Sequence, residues 1–267
     1  MTKLAETIAS LKVDRRSLGV FWLGQAGYVL KTSRNQLIYI DAYLTNMCES
    51  LPGGGVAAKR LIPSPLDVFE LTRGLMCFTH RHQDHMDDEA IAILAKSAPA
   101  VVYAGPVSCT RAMTSELGVP EDRIRLLQVG SVCEFDGYTI RAVFADHGDS
   151  EPDAVGILLE VDGIRVYHTG DTAYRPERMG EVRTLKPQVI LACINGTYGN
   201  LDAIEAARLA DDVGAKAAIP CHYWFFVAQN LRAEGTPAAF LDACKAHAPH
   251  AEPVILAIGE PFVFRKG

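Results

Sequence analysis

The chain has 267 residues, 49% hydrophobic and 22% charged, a balance that fits a folded globular protein and excludes a disordered one. Its 26 basic and 32 acidic side chains sum to −6, which argues against binding nucleic acid by phosphate neutralisation or a membrane through a polybasic patch. No apolar run reaches the ~18 residues of a membrane span, and residues 1–20, which include Glu6 and Asp14, lack a signal-peptide core; a soluble cytoplasmic protein is expected.

Leu4, Ile8 and Leu11 are spaced by four and three, predicting a short amphipathic helix within 1–13. Apolar runs at 19–24, 27–32 and 36–41 follow as a β-meander with tight turns. Residues 42–64, with Pro52, Gly53–Gly55 and Pro63, read as a long loop of the kind that often serves as a lid. No G-K-[ST] follows those glycines, so they do not form a phosphate loop. Segment 65–74 reads as a helix and 75–80 as a buried strand, and Asp87, Asp88 and Glu89 place acids in the first turn of a helix over 87–98. A strand at 100–105 and a helix at 106–117 repeat that pattern.

From about 124 to 168 the chain is strand-rich, with the runs RIRLLQV, SVCEF, YTIRAVFAD, AVGILLEV and IRVYHTG. Asp136-Gly137 and Asp162-Gly163 are hairpin signals between them. The last third alternates: helix 176–184, strand 188–194, helix 201–213 with Gly214 just past its end, strand 215–221, helix 236–248 and strand 254–259. Two groups of strands, each followed by helices and separated by no linker-like run, predict one α+β domain over 1–267. In it two mixed sheets pack face to face with helices outside.

The seven cysteines are odd in number and show no C-x-x-C pair, which points to buried, reduced thiols and not to a zinc knuckle or a disulfide framework. Histidines are ordinary in number, eight, but three fall within six residues. The strand LMCFTH runs into RHQDHMD and gives His80, His82, Asp84 and His85 in the order H-x-H-x-D-H. Imidazole and carboxylate without thiolate suit borderline and hard dications. At a strand end His80 and His82 point to one side, and a turn then brings Asp84 and His85 round towards a second position.

This pattern resembles the metallo-β-lactamase superfamily, which implies a four-layer αββα sandwich with further ligands at later strand ends. His147 in FADHGDS, Asp171 in YHTGDT and His222 in IPCHYW match those positions. The resemblance implies one metal on His80, His82 and His147, and a second on Asp84, His85 and His222 with Asp171 bridging. Asp41 in QLIYIDAYL matches an aspartate that orients the histidine loop, and Asp146 beside His147 is a further acid expected to face a metal or its ligands. Among branches, FWLGQAGYVLK, IDAYLTN, FTHRHQDHMD, YHTGDT, NGTYGNLD and PCHYWFF resemble the L-ascorbate-6-phosphate lactonase-like hydrolases.

That branch implies two divalent ions, manganese or zinc, and a hydroxide between them attacking a small ester, lactone or phosphorylated sugar acid, often anionic. Asp84 is the candidate to orient or deprotonate the water, and His168 to protonate the leaving group or to pack as a strand histidine bonded to backbone. Asn195 and Tyr198, in a Gly-bearing turn ending at Asn200 (itself read as a helix N-cap), are candidate substrate contacts. Tyr223 and Trp224 are candidate pocket walls. Cys221 points away from His222 by strand alternation, and His247 and His250 read as surface residues. The expected partner is a small molecule, with no nucleic acid or membrane, and relatives of this kind often self-associate. The alternatives are a nuclease or phosphodiesterase of the same fold, which the acidic balance disfavours, and a di-iron oxidoreductase-like relative. The di-iron branch typically carries Glu where this chain has His82.

Overall fold

The computed structural model describes residues 1–228 and 235–267, which divide into two compact units. The first comprises Met1–Leu126, Phe225–Ala228 and Leu256–Gly267; the second comprises Leu127–Trp224 and the described part of 229–255. Each is built on one mixed sheet of seven strands.

In the first unit, helix α1 (Lys3–Ser10) precedes β1 (Ser17–Gly24), β2 (Gly27–Lys31) and β3 (Leu37–Ile40), which pair antiparallel in sequence as the meander predicts. The chain then crosses over to β4 (Arg73–Cys77), parallel to β3, and through α3 (Asp88–Ser97) to β5 (Ala100–Gly105). Helix α4 (Val107–Ser115) leads to β6 (Ile124–Leu126), and β14 (Pro261–Arg265) closes the other edge antiparallel to β1. Phe21, Leu23, Val29, Phe78, Met86, Ile91, Leu94 and Tyr103 are fully buried in its core.

One side chain latches α1 to the sheet. Its last turn holds no basic residue, and Lys31, at the end of β2, donates from Nζ to the carbonyls of Ile8 at 2.5 Å and Ala9 at 3.1 Å. The ammonium thus supplies the positive charge that a helix C-terminus favours.

The second unit begins with the hairpin β7 (Val132–Phe135) and β8 (Tyr138–Phe144), followed by β9 (Val155–Val161) and β10 (Ile164–His168). Both Asp-Gly signals sit where expected; Asp162 and Gly163 take φ of 50° and 74°, the left-handed pair a tight hairpin turn requires. After α5 (Gly180–Leu185), β11 (Val189–Cys193), α6 (Ala203–Asp212), β12 (Ala217–Cys221) and α7 (Pro237–His247) alternate, and β13 (Glu252–Pro253) ends the sheet. VILAC and AAIPC are buried at every position, as continuous apolar runs in parallel central strands should be. Gly214 takes φ 69° just past α6.

Three expectations differ from the structure. Segment 65–74 holds only a 3-10 turn at Val68–Glu70, although Asp67 and Glu70 form a capping box there. Three residues further on, Arg73 and Gly74 are already committed to pairing with Ala100 and Val101, so the helix has no room to extend. Residues 42–64 are not structureless: they contain helix α2 (Met47–Ser50), a 3-10 turn at Gly55–Ala58, and a buried Arg60. The Arg60 guanidinium donates to the Tyr43 and Thr45 carbonyls and lies over the Tyr43 and Phe225 rings. Finally, 254–259 is no strand. The pairing falls before it at β13, and the apolar run then turns at Gly259 (φ 78°) into β14.

Candidate metal centre

Every expected ligand lies just beyond the C-terminal end of a strand, where the backbone leaves the sheet and side chains are free to converge. In the first unit the framework is Asp41, directly after β3 in the left-handed region (φ 46°) and fully buried. Its Oδ1 accepts the Thr79 N–H at 2.8 Å; its Oδ2 accepts the Thr79 hydroxyl at 2.6 Å and His85 Nδ1 at 2.8 Å.

These bonds fix tautomers. A buried carboxylate with two such donors accepts from His85 Nδ1–H, so His85 Nε2 presents a lone pair, and it does so 3.8 Å from Asp84 Oδ2. The Thr79 hydroxyl, having given its proton to Asp41, accepts from His80 Nδ1 at 3.0 Å. His80 Nε2 then carries no proton and faces His82 Nδ1 at 3.0 Å. Lone pairs of imidazole nitrogens gathered beside a carboxylate oxygen form the donor set of a divalent metal, so these residues fit such an ion.

Asp84 is half-buried, and its Oδ2 accepts a 2.7 Å hydrogen bond from Gln25 Nε2. Gln25 is completely buried in the β1–β2 turn at φ 49°. Asp87 caps α3 through Ala90 N–H at 3.0 Å and also accepts from Leu44 N, Thr45 N and the Thr45 hydroxyl at 2.7–2.8 Å. Burial pushes the Asp87 carboxyl above its usual range, against those hydrogen bonds.

The second unit gathers His147, Asp171 and His222. The loop after β8 is tied to the loop after β10 by Asp146 N–H to Thr172 Oγ1 and Ala173 N–H to Asp146 O, both at 2.8 Å. This brings His147 Nε2 to 3.9 Å from Asp171 Oδ2. His222 follows β12 in the left-handed region (φ 64°), with Nε2 3.2 Å from the same oxygen. Asn200 Nδ2 donates to it as well, at 2.6 Å. Asn200 is therefore not the cap of α6; that is Asp202, in a capping box with Glu205.

The other sequence candidates are placed as follows. His168 is fully buried at the end of β10, with Nδ1 accepting the Gly170 N–H at 3.0 Å, which leaves its proton on Nε2. Asn195 is buried and donates to Thr197 Oγ1 at 3.1 Å; Tyr198 is 89% exposed. Tyr223 is buried and Trp224 is 46% exposed, their rings edge to face at 6.0 Å. Asp146 does not turn its carboxylate towards His147 or Asp171: its Oδ2 accepts from Arg175 Nε at 2.7 Å, and that bond holds the carboxyl below its usual range. Cys221 and Cys193 are buried, and burial raises the Cys193 thiol to about 12, an inert state.

Gln25 and Asn200 escaped the sequence reading. Both lie in turns whose local signals, a strand gap and a helix start, account for a polar residue without any site. The available sign was an amide beside strands that are otherwise wholly apolar.

Residues 19–222 match the model of the β-lactamase superfamily domain. The chain is 32% identical to a UPF0173 metal-dependent hydrolase of Cupriavidus taiwanensis over 86% of this chain and 81% of that one. Among solved structures it resembles the metallo hydrolase Igni18 of Ignicoccus hospitalis, with a TM-score of 0.73 at 20% identity, over 94% and 100% of the two chains. It also resembles an isothiocyanate hydrolase from Delia radicum gut bacteria, with a TM-score of 0.72 at 20% identity, over 92% and 99%. Among the described residues no helix is long and apolar enough to cross a membrane. With two mixed seven-stranded sheets and these matches, the chain belongs to the metallo-β-lactamase superfamily and, within it, to the UPF0173 metal-dependent hydrolases.

Proposed function

We propose that this protein hydrolyses a small ester, lactone or phosphorylated sugar acid using two divalent ions. His80, His82 and His147 would hold one ion, Asp84, His85 and His222 the other, and Asp171 would bridge them. Bound there, zinc or manganese lowers the pKa of water towards neutrality and polarises a carbonyl or phosphoryl oxygen. The observation that carries the reading is the Asp41–His85 bond, which commits Nδ1 to a buried acid and aims the Nε2 lone pair at Asp84.

Within this scheme the Asp84 carboxylate orients the attacking water and accepts its proton. His168, sealed in its strand, holds the Gly170–Asp171 turn through the Gly170 N–H and so positions the bridging acid. Asn195, Tyr198, Tyr223 and Trp224 contact the substrate, whose anionic groups suit the glycine-bearing turn at 195–200. Asp41 keeps the histidine loop in register. The resemblance to lactonase-like hydrolases supports the carbonyl-ester class, and the structural neighbour that hydrolyses isothiocyanates makes that group a necessary comparison.

The test is metal analysis of the purified protein, then a panel of lactones, acyl esters, phosphoesters and isothiocyanates assayed before and after chelation. Asp84→Ala, and His82→Ala combined with His147→Ala, are expected to abolish hydrolysis while the circular dichroism spectrum stays native. Full activity of metal-stripped protein in the presence of chelator overturns the proposal.

A further inference from the structure

Each unit places a carboxamide against the acid proposed as its metal ligand, and the two arrangements share a pattern. Gln25 Nε2 donates to Asp84 Oδ2, the oxygen 3.8 Å from His85 Nε2. Asn200 Nδ2 donates to Asp171 Oδ2, the oxygen 3.2 Å from His222 Nε2 and 3.9 Å from His147 Nε2. In both cases the amide touches the oxygen that faces imidazole. We propose that Gln25 and Asn200 are positioning residues that fix those two oxygens for metal binding, an inference resting on the metal-site reading above.

The side-chain type fits this task. A lysine or arginine would also hold a carboxylate, but its charge would repel the incoming dication. A carboxamide donates an N–H while remaining neutral, so the acid keeps its full negative charge for the metal. Both residues occupy costly places. Gln25 is fully buried in a left-handed conformation that glycine or asparagine adopts more readily, with Trp22 Nε1 bonded to its carbonyl at 2.9 Å. Asn200 ends a turn that needs positive φ at Gly196, Tyr198 and Gly199, and Thr197 O accepts its N–H at 3.0 Å. Burying an amide against a carboxylate is a poor way to stabilise a fold compared with apolar packing. It is a good way to hold an acid still.

Gln25→Met and Asn200→Leu keep approximate volume and remove the donor. Metal-free wild type and both variants are titrated with Co2+, reading the visible absorption bands, with circular dichroism as the check on folding. The expected result is 10–100-fold weaker cobalt affinity in each variant and an altered band envelope. If one variant does not fold, the other, in a different unit, carries the same expectation. Folded variants that bind cobalt with wild-type affinity and spectrum overturn the positioning role while leaving the metal reading standing. Wild type that binds no cobalt overturns the metal reading itself.

Discussion

Asp41→Asn isolates the charge that organises the histidine loop. Asparagine accepts the left-handed backbone found at this position (φ 46°), so the substitution changes chemistry without changing backbone strain. Three donors converge on the buried carboxylate: Thr79 N–H, the Thr79 hydroxyl and His85 Nδ1. An amide oxygen in the place of Oδ2 retains the last two. Its NH2 group then faces the Thr79 N–H, donor against donor, and leaves a buried N–H unpaired. Losing one charge-assisted bond and stranding that group costs about 3 kcal/mol, which for a chain of this size lowers Tm by roughly 6–12 °C. His85 Nδ1–H then donates to a neutral amide oxygen, a weaker acceptor than the carboxylate, so metal affinity is expected to fall by about 10–100-fold. Differential scanning calorimetry of metal-free protein and a chelator-competition titration read the two effects separately. A midpoint within roughly 1 °C of wild type, together with unchanged affinity, would refute the argument that the Asp41 charge sets the loop.

Two further outcomes follow from the first unit. Burial opposes ionisation of Glu70, but hydrogen bonds from Thr2, then from Asp67, and the nearby terminal amine hold its pKa below the ordinary value. A carboxyl depressed in the folded state contributes stability above its unfolded pKa and loses it as pH falls through the folded one. The Tm gap between wild type and Glu70→Gln is therefore expected to be widest near neutrality and to close below about pH 4; a gap independent of pH from 7 to 3 would contradict this. At Gly24 (φ 94°) a Cβ would stand 2.4 Å from Phe225 Cε2. Gly24→Ala should cost about 2–4 kcal/mol from backbone strain and overpacking combined; retention of wild-type Tm would show that the β1–β2 turn yields more easily than its packing implies.

Strands with one unambiguous period or a fully apolar run were legible in the sequence, from the meander at β1–β3 to the buried runs of β11 and β12. So was the start of α3, where acids lie in or before the first turn. The same local rules failed where tertiary pairing overrode them. Asp67 and Glu70 announce a helix, but Arg73 and Gly74 belong to a strand; the final apolar run announces a strand, but Gly259 turns the chain before β14. At the candidate metal centre, the histidines and acids stood out because ligand chemistry is limited to a few side-chain types at strand ends. Gln25 and Asn200 did not, because an amide in a turn has an ordinary local explanation and only its distant acid reveals another. Asp146 misled for the converse reason: adjacency to His147 in sequence said nothing about Arg175.

Asp41 and Asp87 together form a reciprocal cross-stitch between two short segments. The first segment, 41–45, sends Asp41 to Thr79 and His85; the second, 79–87, sends Asp87 back to Leu44 and Thr45. Each acid's partners lie on the strand exit that carries the other acid, so the two segments fix each other's length. Deleting one residue from either shifts both sets of bonds out of register at once. Residues 46–59 stand outside that lock and can change length while the histidine loop keeps its frame. For anyone redesigning this protein, that division marks where new sequence can be grafted and where not even a single residue should be moved.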